Sequence, residues 1–222
     1  LAYSMPNLNI PLHEVIDYTF KNNCAAGNLW HNYLACMILL DVNFFSLSCE
    51  RRQAPDGALK DIALNDFEQY MKFFHYQRDN FIFKAEKSKY DEELCEICKK
   101  LADSKTPEEL YKHVTNFYKN YGVGIFALQR AFKFDGENII PVQHDKNIKL
   151  ADIVGYEIQK NELIRNTEAF IAGRPANNVL LYGDGGTGKS SSVKALLNEY
   201  FSQGLRVIEI YKHQFKDILK IS

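Results

Sequence analysis

A glycine-rich segment at residues 183–190 has the residue types and the spacing of a phosphate-binding loop. It reads Gly183-Asp184-Gly185-Gly186-Thr187-Gly188-Lys189-Ser190. The segment matches the pattern G-x-x-x-x-G-K-[ST] in full. Glycines allow consecutive backbone N–H groups to turn toward a phosphate, because no Cβ stands in the way. The segment therefore predicts phosphate chemistry, and the alternative is a chance match in a turn rich in glycine and serine.

The polar residues of this loop have distinct expected roles. Lys189 would reach the outer phosphates of a nucleotide, and Ser190 would supply a hydroxyl ligand to Mg²⁺. Ser191 could donate to the innermost phosphate. Asp184 brings a carboxylate near the phosphates, and we expect it to point to solvent, where screening makes its effect small.

Such a loop must be held between a strand and a helix, and both flanks fit. Residues 178–182 are a short apolar run that predicts a strand, and residues 191–203 carry apolar positions at helical spacing. Upstream, Leu150–Gly155 leads into a predicted amphipathic helix over 156–172. Gly173-Arg174-Pro175 ends that helix before the strand begins.

The stretch from about Ile148 through Ile210 resembles AAA+ ATPases. In that superfamily a short apolar segment ending in Val-Gly, here Ile153-Val154-Gly155, covers the adenine ahead of the phosphate loop. Its Val-Gly-Tyr-Glu, Arg-Asn-Thr-Glu and Pro-Ala-Asn-Asn-Val-Leu-Leu-Tyr-Gly segments look closest to a bacterial ATP-binding family known as domain of unknown function 815. The resemblance implies ATP and Mg²⁺ as cofactors and a RecA-like core, and it supplies no substrate.

A phosphate-loop ATPase also needs an acidic strand, a sensor and an arginine finger. We expect these to lie beyond Ser222. The strand predicted at 204–211 ends in Tyr-Lys-His, and the apolar run 36–41, although it ends in Asp41, continues a helical pattern from Trp30. The predicted fold class is therefore α/β: a mainly helical N-terminal domain, then the first part of a RecA-like AAA+ parallel-sheet domain, truncated before the acidic strand. We expect these 222 residues alone to show no ATPase activity.

Three regions are predicted: a helical domain over 1–121, a hairpin or connector over 122–145, and the partial ATP-binding domain over 146–222. The helical domain is predicted to contain helices at 11–22, at 27–46, from Asn65 onward, and at 107–118. The last of these has a capping threonine, a first-turn proline and a capping-box glutamate. Trp30 is predicted to be buried and structural.

Composition narrows the class of protein. The net charge of −1 gives no support for nucleic-acid binding. No signal-like segment or apolar run of membrane-spanning length is visible, so a cytoplasmic location is expected. The five irregularly spaced cysteines, including the pair Cys95 and Cys98, indicate reduced thiols rather than a zinc or disulfide framework.

Two functions remain open from the sequence. The first is an AAA+ ATPase that hydrolyses ATP when full length and remodels or loads a protein partner, a client or a second copy, through its helical domain. The second is a nucleotide-sensing interaction protein that binds ATP without turnover. A small-molecule kinase is a weaker third reading, because no acceptor site is visible.

Overall fold

The computed structural model of the chain describes residues 3, 5–51, 55–76, 82–84, 91–142, 144–145 and 147–220, with the side chains of 217–220 excepted. The chain divides into two compact units, residues 1–128 and 129–222. Lys146, where the sequence predicts the ATP-binding domain to begin, and Ser222 lie outside the described residues.

The first unit is mainly helical. Its helices within the described ranges are α1 (Leu12–Lys21), α2 (Leu29–Leu40), α3 (Phe44–Glu50), α4 (Gly57–His75), α5 (Glu92–Ala102), α6 (Pro107–Tyr121) and α7 (Ile125–Leu128). Two short strands, β1 (Gly27–Asn28) and β2 (Ile82–Phe83), pair in antiparallel fashion. Residues 125–128, which fall within the predicted hairpin or connector, are helical.

Helix α2 lies at the centre of the first unit's core. Leu34, Ile38 and Leu39 on this helix are fully buried, so it is apolar on most of its circumference. Trp30 is only 2% exposed, as predicted. Its indole Nε1 donates a hydrogen bond to the Phe73 carbonyl oxygen at 3.0 Å. Residues 36–40 of the run 36–41 therefore belong to a core helix, as the sequence indicates, and Asp41 follows its last turn.

The prediction of a single helix at 27–46 is wrong, because the helical conformation is interrupted between α2 and α3. Asp41 has an extended conformation, with φ −70° and ψ 123°. Asn43 then caps α3 through a capping box in which the Asn43 side chain accepts from the Ser46 N–H and the Ser46 hydroxyl accepts from the Asn43 N–H. The two reciprocal bonds satisfy orphan backbone donors, so a new helix begins here.

The start of α4 is also corrected, whereas the start of α6 is confirmed. Helix α4 begins at Gly57 rather than near Asn65, and its earlier part packs on the core through the half-buried Leu59 and the buried Ala63. At α6, Thr106 Oγ1 accepts from the Glu109 N–H at 3.2 Å, and Glu109 Oε2 accepts from the Lys105 N–H at 2.7 Å.

Within the described ranges, no single helix is long and apolar enough to cross a membrane. Helices α2 and α3 reach that length and composition only when taken together, and they meet at a bend of 76°.

The second unit is mixed α and β. Its elements are β3 (Ala131–Phe134), β4 (Ile139–Pro141), α8 (Glu157–Ile171), α9 (Lys189–Tyr200) and β5 (Val207–Glu209), with 3-10 turns at Leu150–Asp152, Phe201–Gln203 and Lys212–Lys220. Strand β3 pairs antiparallel with β4 and parallel with β5. Taken over both units, the described chain is thus mixed α/β and mostly helical, with small sheets.

The strand predicted at 178–182 is not formed. Within the described chain no strand pairs with this segment, and Leu180 and Tyr182 are 82% and 87% exposed. An extended segment becomes a strand only when a neighbour supplies ladder hydrogen bonds. Strand β3 pairs with β4 and β5 instead, and the run 178–182 lies exposed at the surface.

Candidate functional site

The loop at 183–190 has a backbone that its glycines make possible. Gly183, Gly186 and Gly188 have φ values of 135°, 81° and 82°. L-residues with a Cβ rarely adopt these values, so side chains at these positions would strain the loop. Gly185 and Asp184 are exposed along the same turn. The spacing of glycines in the sequence therefore corresponds to a real conformational need.

Lys189 folds back across this loop. Its Nζ donates to the carbonyl oxygens of Gly183 and Asp184 at 2.9 and 2.6 Å, and to Thr187 Oγ1 at 3.2 Å. Thr187 Oγ1 in turn donates to the Asp184 carbonyl at 2.9 Å. The ammonium group thus contacts three oxygen atoms of the loop.

The loop leads directly into the N-terminus of α9. The helix begins at Lys189 after Gly188, and no side chain caps its first turn. The first N–H groups of a helix carry a partial positive charge and attract anions. Ser190 is exposed and Ser191 is half-buried in this turn. The loop therefore offers backbone donors, a cation and the three hydroxyls of Thr187, Ser190 and Ser191 within nine consecutive residues.

The upstream segment 150–155 packs against the same helix. Leu150 is buried with Ala195, Leu196 and Tyr200 of α9, and Ile153 packs against this cluster. A Cβ placed on Gly188 would lie 3.8 Å from the Ile153 Cγ2 atom. The packing therefore brings Ile153 beside the phosphate loop, while Val154 remains 89% exposed next to Gly155.

Helices α8 and α9 are tied together behind the loop. The Tyr200 hydroxyl donates to Glu168 Oε1 at 2.8 Å. Burial, together with this hydrogen bond, raises the pKa of Tyr200 to about 12, so the hydroxyl keeps its proton near neutral pH. Lys160 Nζ, on α8, donates to the Ile153 carbonyl at 3.2 Å and so holds the upstream segment.

A pair of asparagines fixes the chain as it approaches the loop. The Asn177 N–H donates to Asn166 Oδ1, and Asn166 Nδ2 donates to the Asn177 carbonyl, each at 2.8 Å. An open cavity of about 690 Å³ lies between α8 and residues 175–181. None of its lining residues belongs to the loop 183–190, so this cavity is distinct from the candidate phosphate site.

Asn198 of α9 also holds the second unit together, a role that the sequence analysis did not predict. Its Nδ2 donates to the carbonyl oxygens of Asp145 and Ile148 at 3.0 and 2.9 Å, and its Oδ1 lies 2.8 Å from His144 Nε2. The side chain thus ties the segment before Leu150 to α9. A lone asparagine on a helix gives no sequence signal for such a role.

Replacing Asn198 by alanine should therefore loosen this segment. The change should lower the free energy of unfolding of the second unit by about 0.5–1.5 kcal/mol, because the half-buried Ile148 carbonyl loses its donor, whereas water replaces the bond to the exposed Asp145. Urea unfolding followed by circular dichroism measures the loss, and hydrogen exchange should speed up in residues 147–153. Glu199→Ala, an exposed neighbour, should stay within about 0.5 kcal/mol of wild type. Equal stabilities for the two variants would show that Asn198 anchors nothing.

Comparison with known proteins finds a family that is similar to part of the chain. Residues 127–222 match the family model described as "Protein of unknown function (DUF815)". Residues 127–222 are therefore similar to that family, in agreement with the resemblance of the loop and its flanking segments. No solved structure matches the chain.

A curated relative adds a second finding. The chain is 38% identical over 69 residues to the replication factor C large subunit of Staphylothermus marinus. The match covers 31% of this chain and 16% of the relative. The relative is an AAA+ ATPase, so the similarity is consistent with an ATP-binding protein of AAA+ type.

Proposed function

We propose that residues 183–190 bind ATP with Mg²⁺, as the phosphate loop of an AAA+ module with a RecA-like core. The observation that carries the proposal is Lys189, whose ammonium group is held over a glycine loop at an uncapped helix N-terminus. Phosphate oxygens would replace the two carbonyl acceptors of Lys189 and gain the free N–H groups of the helix.

The residues present fit a nucleotide and its metal ion. The loop amides and Lys189 would hold the outer phosphates, Ser190 would coordinate Mg²⁺ and Ser191 would donate to the innermost phosphate. Residues 153–155 would contact the adenine, since Ile153 already lies beside Gly188. Bound Mg²⁺ would supply neutralisation of the phosphate charge.

Calorimetric titration tests this proposal. ATP and ADP should bind in the presence of Mg²⁺, and AMP should bind at least about tenfold more weakly, because the loop contacts lie on the outer phosphates and each charge-assisted bond contributes about 1.5–3 kcal/mol. AMP affinity equal to that of ATP would contradict the proposed site.

We further propose that the whole protein hydrolyses ATP and uses it to remodel or load a protein partner. Turnover measured in the whole protein separates this from nucleotide sensing. ATPase activity that Lys189→Ala abolishes would support the enzyme, whereas tight ATP binding without turnover would favour the sensor.

A further inference from the structure

Cysteines from three segments of the first unit lie close together beside α2. Cys24 lies between α1 and α2, Cys36 lies on α2, and Cys98 lies on α5; all three are buried. The sulfurs of Cys24 and Cys36 are 2.9 Å apart. This is well inside the ordinary separation of non-bonded heavy atoms, about 3.5–4.0 Å. Two thiols held this close need only a small shift to form a bond.

Backbone hydrogen bonds hold Cys24 in this position. Its N–H donates to the Thr19 carbonyl at 2.9 Å. Its own carbonyl accepts from Asn32 Nδ2 at 2.6 Å, and the same amide donates to the Ala26 carbonyl at 2.7 Å. Asn32 and Cys36 lie one turn apart on α2, so the helix that carries one sulfur also fixes the backbone of the other.

The two thiols are not equivalent. Hydrogen bonds from the thiols of Cys36 and Cys98 lower the pKa of Cys24 below its ordinary value. The hydrogen bond to Cys24, together with burial, raises the pKa of Cys36. The thiolate is the nucleophilic form of cysteine. The direction of these shifts favours Cys24 as the attacking sulfur and Cys36 as the resolving one.

An open cavity of about 640 Å³ lies beside this pair. Ala26, Asn32 and the half-buried Cys95 line it, and the Asn32 amide donates to the Cys24 carbonyl oxygen. Cys24 and Cys36 themselves are 0% exposed. Because both sulfurs are fully buried, a small oxidant such as hydrogen peroxide suits the site better than a bulky one.

Metal binding does not explain the cluster. Among the described residues, no three His, Cys, Asp or Glu side chains are arranged to hold a metal ion.

We propose that Cys24 and Cys36 form an oxidation site that closes to a disulfide in the presence of hydrogen peroxide. The Cys24 thiolate attacks one peroxide oxygen, the O–O bond breaks, and the leaving hydroxide takes up the thiol's proton as water. Cys24 is then a sulfenic acid. The Cys36 sulfur attacks the Cys24 sulfur, the S–O bond breaks, and the leaving hydroxide takes the Cys36 proton as a second water. Two electrons pass from the two thiols to the peroxide.

Peptide mapping tests the site directly on the wild-type chain. After peroxide treatment and alkylation in denaturant, digestion with trypsin and chymotrypsin separates Cys24 from Cys36, because chymotrypsin cleaves after Trp30 and Tyr33. The expected product is one cross-linked pair joining Cys24 to Cys36. Their thiols should disappear together, at least about tenfold faster than the thiol of Cys49, which burial leaves with a raised pKa.

Cysteine-to-serine variants test which thiols form the cross-link. Cys49→Ser should form the same cross-link at the wild-type rate. Cys36→Ser should lose it, and the double variant Cys36→Ser with Cys98→Ser, which also removes the other thiol bonded to Cys24, should leave a sulfenic acid on Cys24 that dimedone captures. The proposal is overturned if all five thiols of the wild-type chain stay alkylatable, if the main disulfide joins Cys95 to Cys98, or if added zinc binds in stoichiometric amount and protects the cluster.

Discussion

ATP with Mg²⁺ should raise the melting temperature of the wild-type chain, and Lys189→Ala should remove most of that rise. A ligand that binds only the native state at a hundredfold excess over Kd stabilises it by about 2.7 kcal/mol, or roughly 5 to 10 °C for a cooperative unit in a chain of this length. Lys189 is the charged donor of the loop, so its loss removes charge-assisted bonds to the phosphates. Differential scanning fluorimetry with an extrinsic dye measures the shift.

The variant should leave the protein without nucleotide almost unchanged. The carbonyl acceptors of Lys189, on Gly183 and Asp184, lie in exposed residues, where water replaces the lost bonds. Lys194→Ala is the matched control, because Lys194 is an exposed lysine on the same helix and contacts none of the loop groups that Lys189 binds. It should keep the full rise. Equal rises in the wild type and in Lys189→Ala would show that this loop is not the nucleotide site.

Local signals in the sequence predicted the parts of the site that local interactions determine. Gly183, Gly186 and Gly188 need positive φ values that few other residues adopt, so the motif itself indicates the loop conformation. The cap at Thr106 likewise rests on bonds within four residues. The capping box at Asn43 and Ser46 is also local, and reading it would have divided the helix predicted at 27–46.

Other features depend on residues far apart in the chain, and no local pattern could predict them. The apolar run 178–182 has strand composition, but pairing depends on which strands lie beside it, and β5 pairs with β3 instead. Asn198 reaches a segment about 50 residues earlier in the chain. The contact between Cys24 and Cys36 joins a loop to a helix across 12 residues. Composition and residue spacing do not predict such contacts.

Trp30→Ala should cost the first unit about 3–5 kcal/mol, the largest loss of stability expected here. The side chain is 2% exposed, stacks on Tyr33 with ring centroids 5.6 Å apart, and donates to the Phe73 carbonyl at the end of α4. Truncation therefore opens a cavity between α2 and α4 and removes a hydrogen-bond donor. Urea unfolding followed by far-UV circular dichroism measures the change, because the variant has lost the only tryptophan.

Trp30→Phe separates the two contributions. Phenylalanine keeps an aromatic ring against Tyr33 but has no N–H, so this variant should cost about 1–3 kcal/mol, less than the alanine variant. The Phe73 carbonyl still accepts from the Tyr76 N–H, which limits the loss. Phe44→Ala is the control for aromatic truncation at the surface, since Phe44 is 74% exposed, and it should stay within about 0.5 kcal/mol of wild type. If Trp30→Ala unfolds at the same urea concentration as Phe44→Ala, the indole is not part of the core. If Trp30→Phe costs as much as Trp30→Ala, the N–H donor, and not the packed ring, holds α2 against α4.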